Sequence, residues 1–332
     1  MMAYATGLVV GKFCPLHLGH EYVINTALDQ CEHVIILSYT SKNFPGCEPE
    51  KRREWLTMTF PTATVVVLES SEAPDDELPD DMHRLFCANY LLNKMNTTVQ
   101  AVFTSEDYGD GFAAYLSKFF TMELRTDITV DHILVDKDRI QFPTSGTAIR
   151  NNMNRRCLNY YAAQDFIPRV AFLGGESSGK TTLARELALY TKTEWVSEYG
   201  RELYDNRSGK LNYEDMEFIA RTQISREKSQ SSAFLNYLFC DTTPLTTMFY
   251  SEQMFGRVAP ALRKMAEREY HKIYLCCPNI DFEQDGTRRD ATFRMTGHKW
   301  YVDYLTANDI PYTIVSGTVE ERVNFVMKDL GL

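Results

Sequence analysis

Two histidines three residues apart, His17 and His20, lie in the stretch GKFCPLHLGH at residues 11–20, just after an apolar run that reads as a strand. From a loop and the first turn of a following helix, both imidazoles would project into one pocket, and Gly19 between them permits close backbone approach. Imidazoles donate to phosphate oxygens and gain positive charge as a bound anion raises their pKa. The helix N-terminus adds backbone N–H groups, and Lys12 at the strand end adds another cation. Two other readings of the pair stand beside this one. One is a zinc site, although no carboxylate or thiol ligand sits at suitable spacing; the other is a purely structural pairing.

A second stretch, GGESSGKTT at residues 174–182, has the spacing G-x-x-x-x-G-K-[ST]. It follows the apolar VAFL and opens the helical pattern TTLARELALY, which is the context this motif requires. Gly174, Gly175, Glu176, Ser177, Ser178 and Gly179 would curl so that backbone N–H groups, with those of Thr182 in the first helical turn, face the phosphates of ATP. Lys180 would reach the β- and γ-phosphates, and Thr181 would ligate Mg²⁺. The strand-like FLNYLFCDTT ends in Asp241, a carboxylate able to hold Mg²⁺ through water or to accept a proton from an attacking hydroxyl. Capping the next helix is its structural alternative. SEYGRE at residues 197–202 places Glu198 and Arg201 at the same strand-end face, where α/β proteins bind ligands; a solvated pair is the plainer reading. DGTRRDATFR at residues 285–294 puts Arg288, Arg289 and Arg294 in a polar segment that reads either as a lid closing over ATP or as a solvated loop.

These residues need a scaffold of strand ends and helix starts, and the chain has that rhythm. Apolar runs at about 4–10, 33–39, 63–68, 99–103 and 131–135 alternate with amphipathic stretches at about 19–31, 50–60, 82–94 and 110–120, and a helix opens at about 146. The pattern restarts at 169–175, with further strands at about 194–197, 235–240, 272–276 and 311–315. Two parallel-sheet α/β domains are expected, 1–165 and 166–332, joined by the aromatic segment NRRCLNYYAAQDFIPRV rather than by a Gly/Ser tether.

Composition narrows the function class. With 35 basic and 45 acidic residues the net charge is −10, which argues against nonspecific nucleic-acid binding. No apolar run approaches the roughly 20 residues of a membrane span. Eight cysteines form no C-x-x-C pair, which suits reduced thiols in a cytoplasmic protein. The acid-rich ESSEAPDDELPDD at 69–81 reads as a solvated loop.

GKFCPLHLGH resembles the G-x-F-x-P-x-H-x-G-H signature of the nucleotidylyltransferase superfamily, and SGTAIR at 145–150 is similar to its late S-x-T-x-I-R motif. The resemblance implies that Gly11, Phe13 and Gly19 shape an ATP site and that Ser145, Thr147 and Arg150 meet the ATP phosphates at a helix start. It also implies direct attack of a substrate phosphate on the α-phosphorus of ATP. Such a domain followed by the P-loop and EYGRE resembles the NadR family of bifunctional NAD-biosynthesis enzymes over nearly the whole chain. That resemblance implies adenylylation of nicotinamide mononucleotide (NMN) to NAD and pyrophosphate in the first domain. It implies phosphorylation of nicotinamide riboside to NMN in the second. His17, His20, Lys12 and Arg150 would then stabilise the first transition state. Lys180 would hold the γ-phosphate in the second reaction, with Asp241 as first candidate for the base and Glu198 as second. KRREWL at 51–56 is similar to a family segment that places Arg52 and Trp55 near the dinucleotide; Tyr199 and Arg201 fall in the EYGRE match.

Some family members carry a helix-turn-helix domain that represses transcription. Here Met1 stands only a few residues before the first strand, so the expectation is a chain without that role. Expected partners are ATP, NMN, nicotinamide riboside and NAD, with Mg²⁺, and neither nucleic acid nor membrane; whether the chain forms a homo-oligomer stays open. The phosphate motifs alone also admit another acceptor, such as phosphopantetheine or a different nucleoside, or a nucleotide-sensing regulator without turnover.

Overall fold

In the computed structural model, residues 3–231, 235–279 and 290–332 are described. They form two compact units, Met1–Phe166 and Ile167–Leu332.

The first unit runs β1 (Tyr4–Gly11), α1 (Leu18–Gln30), β2 (Cys31–Ser38), α2 (Pro49–Thr59), β3 (Thr64–Val67), α3 (Asp80–Asn89), β4 (Ala101–Thr104), α4 (Tyr108–Leu124), β5 (Asp131–Leu134), α5 (Gly146–Asn152) and α6 (Tyr160–Asp165). The strands lie in the order β3-β2-β1-β4-β5, all parallel. Strands covered on both faces must be apolar throughout, and Leu8, Val9, Ile36 and Phe103 are accordingly buried. Leu8, Leu37 and Val102 pack with Phe112, Leu116 and Phe120 of α4 into this unit's core.

The second unit runs β6 (Arg169–Leu173), α7 (Lys180–Thr191), β7 (Trp195–Val196), α8 (Tyr199–Asn206), α9 (Tyr213–Ser229), β8 (Leu238–Asp241), α10 (Pro244–Phe255), α11 (Pro260–Ala266), β9 (Lys272–Cys276), α12 (Ala291–Ala307), β10 (Thr313–Val315) and α13 (Val319–Leu330). Its parallel order is β10-β9-β6-β8-β7. Alternation along central β6 builds two cores: Ala171 and Leu173 pack against α9, α10 and α12, whereas Val170 and Phe172 pack against α7 and α13. Local signals close the helices. Asn212 with Asp215, and Thr318 with Glu321, form capping boxes at the starts of α9 and α13.

Three expectations are revised here. The stretch read as one helix at 82–94 is α3 followed by a single wide turn at Tyr90–Lys94, where the Met95 N–H reaches back to the Tyr90 carbonyl. Arg294 belongs to the first turns of α12, which Asp290 caps by accepting from the Phe293 N–H at 2.7 Å, and not to a polar loop; Arg288 and Arg289 lie outside the described residues. The acidic run is not wholly solvated, because the Asp76 side chain is only 2% exposed.

Candidate functional site

In the first unit the strand order reverses between β1 and β4, and a cavity of about 590 Å³ opens outside their carboxyl ends. Gly11, Lys12, Phe13, His17, Gly19, His20, Ser145, Thr147 and Arg150 line it, so motifs distant in sequence share one wall. The His17 ring caps α1: the His20 backbone N–H donates to His17 Nδ1 at 3.3 Å, which leaves Nε2 as the protonated nitrogen of the neutral ring. The two imidazoles stack with centroids 3.6 Å apart. Burial, with lesser contributions from the Arg139 and Arg150 charges, pushes the His17 pKa down to about 4. Burial, His17 and the same two arginines hold His20 well below the usual range. Both rings are therefore neutral at pH 7 before an anion arrives.

A bound triphosphate should reverse that. Calorimetric titration of ATP near pH 6.5 in buffers of different ionisation enthalpy should reveal uptake of up to about one proton, because the anion raises the imidazole pKa values. The buffer-dependent part should shrink in His17→Asn protein, where Asn can still cap α1. A buffer-independent enthalpy in the wild type would show that the rings stay neutral.

Ser145 starts α5 by accepting from the Ala148 N–H at 3.1 Å. Arg150, one turn on, donates to the Cys14 carbonyl and to Thr147 Oγ1 and stacks on Phe44, tying the two motifs together. Arg139 enters the same cavity, held by the Thr144 carbonyl at 3.0 Å and Glu106 at 3.2 Å. It had not been singled out, although an arginine six residues before Ser145 was a signal. Lys12 is paired at 2.6 Å with Asp76, which also accepts from Thr40 and the Ser41 N–H. Burial works to raise the Asp76 pKa, but these hydrogen bonds outweigh it and hold the carboxyl below its usual range.

Arg52 and Trp55 sit beneath this wall and not in it. Trp55 is fully buried, donating to Asp165 at 2.7 Å, and Arg52, 1% exposed, donates to Ser38 and to the Lys12 and Leu68 carbonyls. Their spacing with buried Leu56 is that of a helix's inward stripe, from which Arg52 ties together the ends of β1, β2 and β3.

In the second unit the loop between β6 and α7 has left-handed backbone at Ser177 and Gly179 and an unusual φ of +143° at Gly174. A Cβ on Gly175 would lie 2.2 Å from the Arg294 carbonyl, so α12 packs directly on the loop. Lys180 Nζ donates to the Gly174 and Gly175 carbonyls at 3.0 and 2.9 Å and lies folded over the loop. Thr181 Oγ1 donates to Asp241 Oδ2 at 2.6 Å; Thr182 is half-buried one position on. Burial first, then the Glu198 charge, pushes the Asp241 pKa up to about 6. Asp241 Oδ1 is buried with no hydrogen-bond partner among the described residues. Thr243 caps α10, which disposes of that alternative for Asp241. A hydroxyl and a carboxylate with one unsatisfied buried oxygen are hard donors that suit a divalent cation such as Mg²⁺. No group of three His, Cys, Asp or Glu side chains among the described residues could hold a metal ion.

Arg322 of α13 had no place in the sequence reading. Only 2% exposed, it donates to the Ser178 carbonyl of the loop at 2.6 Å, to the carbonyls of Gly317 and Cys277, and to Asn279. A lysine keeps the charge but cannot reproduce this planar fork. Arg322→Lys should lower stability by about 2–3 kcal/mol and raise KM for ATP in this unit about tenfold. Melting curves and steady-state kinetics check this; an unchanged KM in folded protein would make Arg322 a packing residue only.

A second cavity, of about 270 Å³, adjoins the loop and is lined by Glu176, Glu198, Arg201, Tyr204, Gln223, Thr246 and Tyr250 among others. Glu176 points into it from the loop and accepts from Tyr250 at 3.0 Å. Glu198 is in this wall and Asp241 is not. Tyr199 is not in the wall either; its ring carries the Arg226 guanidinium at 4.6 Å and meets the edge of Phe218. Arg201 lies 3.7 Å from Glu198.

A family model described as an AAA domain matches residues 169–322. The trifunctional NAD biosynthesis/regulator protein NadR of Salmonella typhimurium is 27% identical over 93% of this chain and 78% of the relative. That of Escherichia coli K12 is 26% identical over the same shares. A crystal structure of a NadR protein in complex with NR superposes with a TM-score of 0.75 at 21% identity, covering 100% of this chain and 98% of that one. A NadR protein in complex with NAD and AMP-PNP gives a TM-score of 0.71 at 22% identity over the same shares. The likeness to these NadR proteins runs through both units, in sequence as well as in fold.

Proposed function

We infer that the chain performs two consecutive steps of NAD formation. Residues 166–332 act as a P-loop ribosylnicotinamide kinase, converting nicotinamide riboside and ATP to NMN and ADP. Residues 1–165 act as the nucleotidylyltransferase, converting NMN and a second ATP to NAD and pyrophosphate. The observation that carries this reading is the presence of two separate anion cradles of different build, each beside a cavity in its own unit.

In the kinase step Glu198, in the wall of the smaller cavity, takes the proton of the ribose 5′-hydroxyl. Lys180 leaves its two carbonyl partners for the γ-phosphate as ATP enters the loop. Thr181 and Asp241 would hold Mg²⁺, which when bound neutralises charge on the β- and γ-phosphate oxygens. In the adenylyl transfer the nucleophile is already an anionic phosphate, so the chain's task is positioning and charge compensation. His17, His20 and Arg150 face the phosphates, with Ser145 and Thr147 at the start of α5; Arg139 adds a second guanidinium. Lys12, held by Asp76, fixes the strand-end edge of the same cavity. All eight cysteines are free thiols, and no helix among the described residues is long and apolar enough to cross a membrane; a cytoplasmic enzyme fits both.

The test is incubation of the purified chain with Mg-ATP and each acceptor separately. NMN should yield NAD and pyrophosphate, and nicotinamide riboside should yield NMN and then NAD. Nucleotide binding without either product would turn the reading towards a sensor. Turnover of phosphopantetheine or another nucleoside in preference would overturn the choice of acceptor.

A further inference from the structure

Gln223, on the inward stripe of α9, lines the smaller cavity and is 2% exposed. Its Oε1 accepts from the Tyr199 backbone N–H at 3.0 Å. A backbone N–H can only donate, so this contact fixes which end of the amide is oxygen and leaves the NH₂ facing elsewhere. That Nε2 is buried and has no hydrogen-bond partner among the described residues. A buried donor without an acceptor costs stability, and a ligand that supplies the acceptor recovers it. The other polar groups of the wall include two acids, Glu176 and Glu198, which suit hydroxyl donors and a positively charged ring and oppose a second carboxylate.

We propose that Gln223 is a specificity-determining residue of the nucleoside site: its Nε2 donates to the neutral carbonyl oxygen of the ring substituent of a cationic pyridinium nucleoside. This rests on the kinase reading above and adds the residue that distinguishes a carbamoyl-bearing ring from a bare one. A site built around a buried donor rejects an analogue lacking the acceptor, because the donor is then left unpaired.

The experiment compares kcat/KM for nicotinamide riboside with that for unsubstituted pyridinium riboside, in wild-type protein and in two variants. Gln223→Glu keeps an oxygen for the Tyr199 N–H and removes the donor; Gln223→Met removes the donor without adding charge. The wild type should prefer the carbamoyl nucleoside by about tenfold to a hundredfold, and in both variants the ratio should fall towards one. Taking the ratio cancels general effects on folding or on ATP binding, and turnover of the bare pyridinium nucleoside by the same variants reports that the second unit is folded. An unchanged ratio in the variants, or no wild-type preference, overturns the role of Gln223 while leaving the kinase reading standing. A wild-type chain that phosphorylates neither nucleoside overturns the kinase reading and this role with it.

Discussion

Lys180→Ala should cut riboside phosphorylation by about a thousandfold or more while leaving NMN adenylylation within about twofold, and His20→Ala should do the reverse. The asymmetry follows from the build of the two sites. Lys180 bonds to two carbonyls of its own loop, and in the proposed kinase step its charge bears on the phosphoryl group that transfers in that unit. His20 stacks on His17 and meets the edge of Phe13, all within the first cavity. Each unit has its own core, and each of the two substitutions falls within one unit. Starting from nicotinamide riboside, Lys180→Ala protein should make neither NMN nor NAD until NMN is supplied. His20→Ala protein should accumulate NMN and stop there. Chromatographic separation of the two products checks both statements. If either variant, still folded, lost both activities to the same extent, the assignment of one reaction to each unit would be wrong.

What could be read in the chain was what is local. An anion cradle is made of consecutive backbone N–H groups and side chains within one turn of them, so GKFCPLHLGH and GGESSGKTT show themselves in a few residues. The parallel sheets were legible for a similar reason, since strands buried on both faces read as unbroken apolar runs. Groups brought in by tertiary structure were harder. Asp76 belongs to a run whose composition says solvent, yet it is the one that pairs with Lys12, 64 positions away. Gln223, Glu227 and Arg322 had a usable signal that went unread, namely a polar residue on the apolar stripe of its helix. Gln223 follows Met216, Ile219 and Ala220 at helical spacing, and Arg322 sits with Val323 and Val326. Glu227 on that stripe answers to Arg268 at 2.9 Å and Tyr270 at 2.7 Å, whereas Gln223 Nε2 answers to nothing among the described residues. The same periodicity explains Arg52 and Trp55: family likeness suggested contact with the dinucleotide, but positions 52, 55 and 56 are the buried face of α2.

Asp241→Asn should separate stability from activity in the second unit. The carboxylate is buried, its pKa pushed up to about 6 by burial first and by the charge of Glu198 second. The corresponding acid in an unfolded chain ionises near 3.8. Between those two values the folded state holds a proton that the unfolded state has released, so stability falls as pH rises through this window. Above about pH 6 the metal-free protein therefore carries an unfavourable contribution of about 2–3 kcal/mol that an amide does not have. In chelator at pH 7.5, Asp241→Asn should be more stable than wild type by about 2 kcal/mol, somewhat less than that figure because the new NH₂ needs an acceptor of its own. Below about pH 4 the two proteins should converge, since the wild-type carboxyl is then protonated in both states. Riboside phosphorylation should nevertheless drop by about a hundredfold or more, because the amide offers the cation bound with Thr181 one neutral oxygen in place of a carboxylate. Denaturant titrations across this pH range and kinase assays on the same samples measure both halves. A variant less stable than wild type at pH 7.5 in chelator would mean that the folded protein accommodates the Asp241 charge without cost, and that the acid is held there by its surroundings alone. The stabilised but inactive variant is the result expected from the proposed role of Asp241 beside Thr181 at the cation that accompanies ATP.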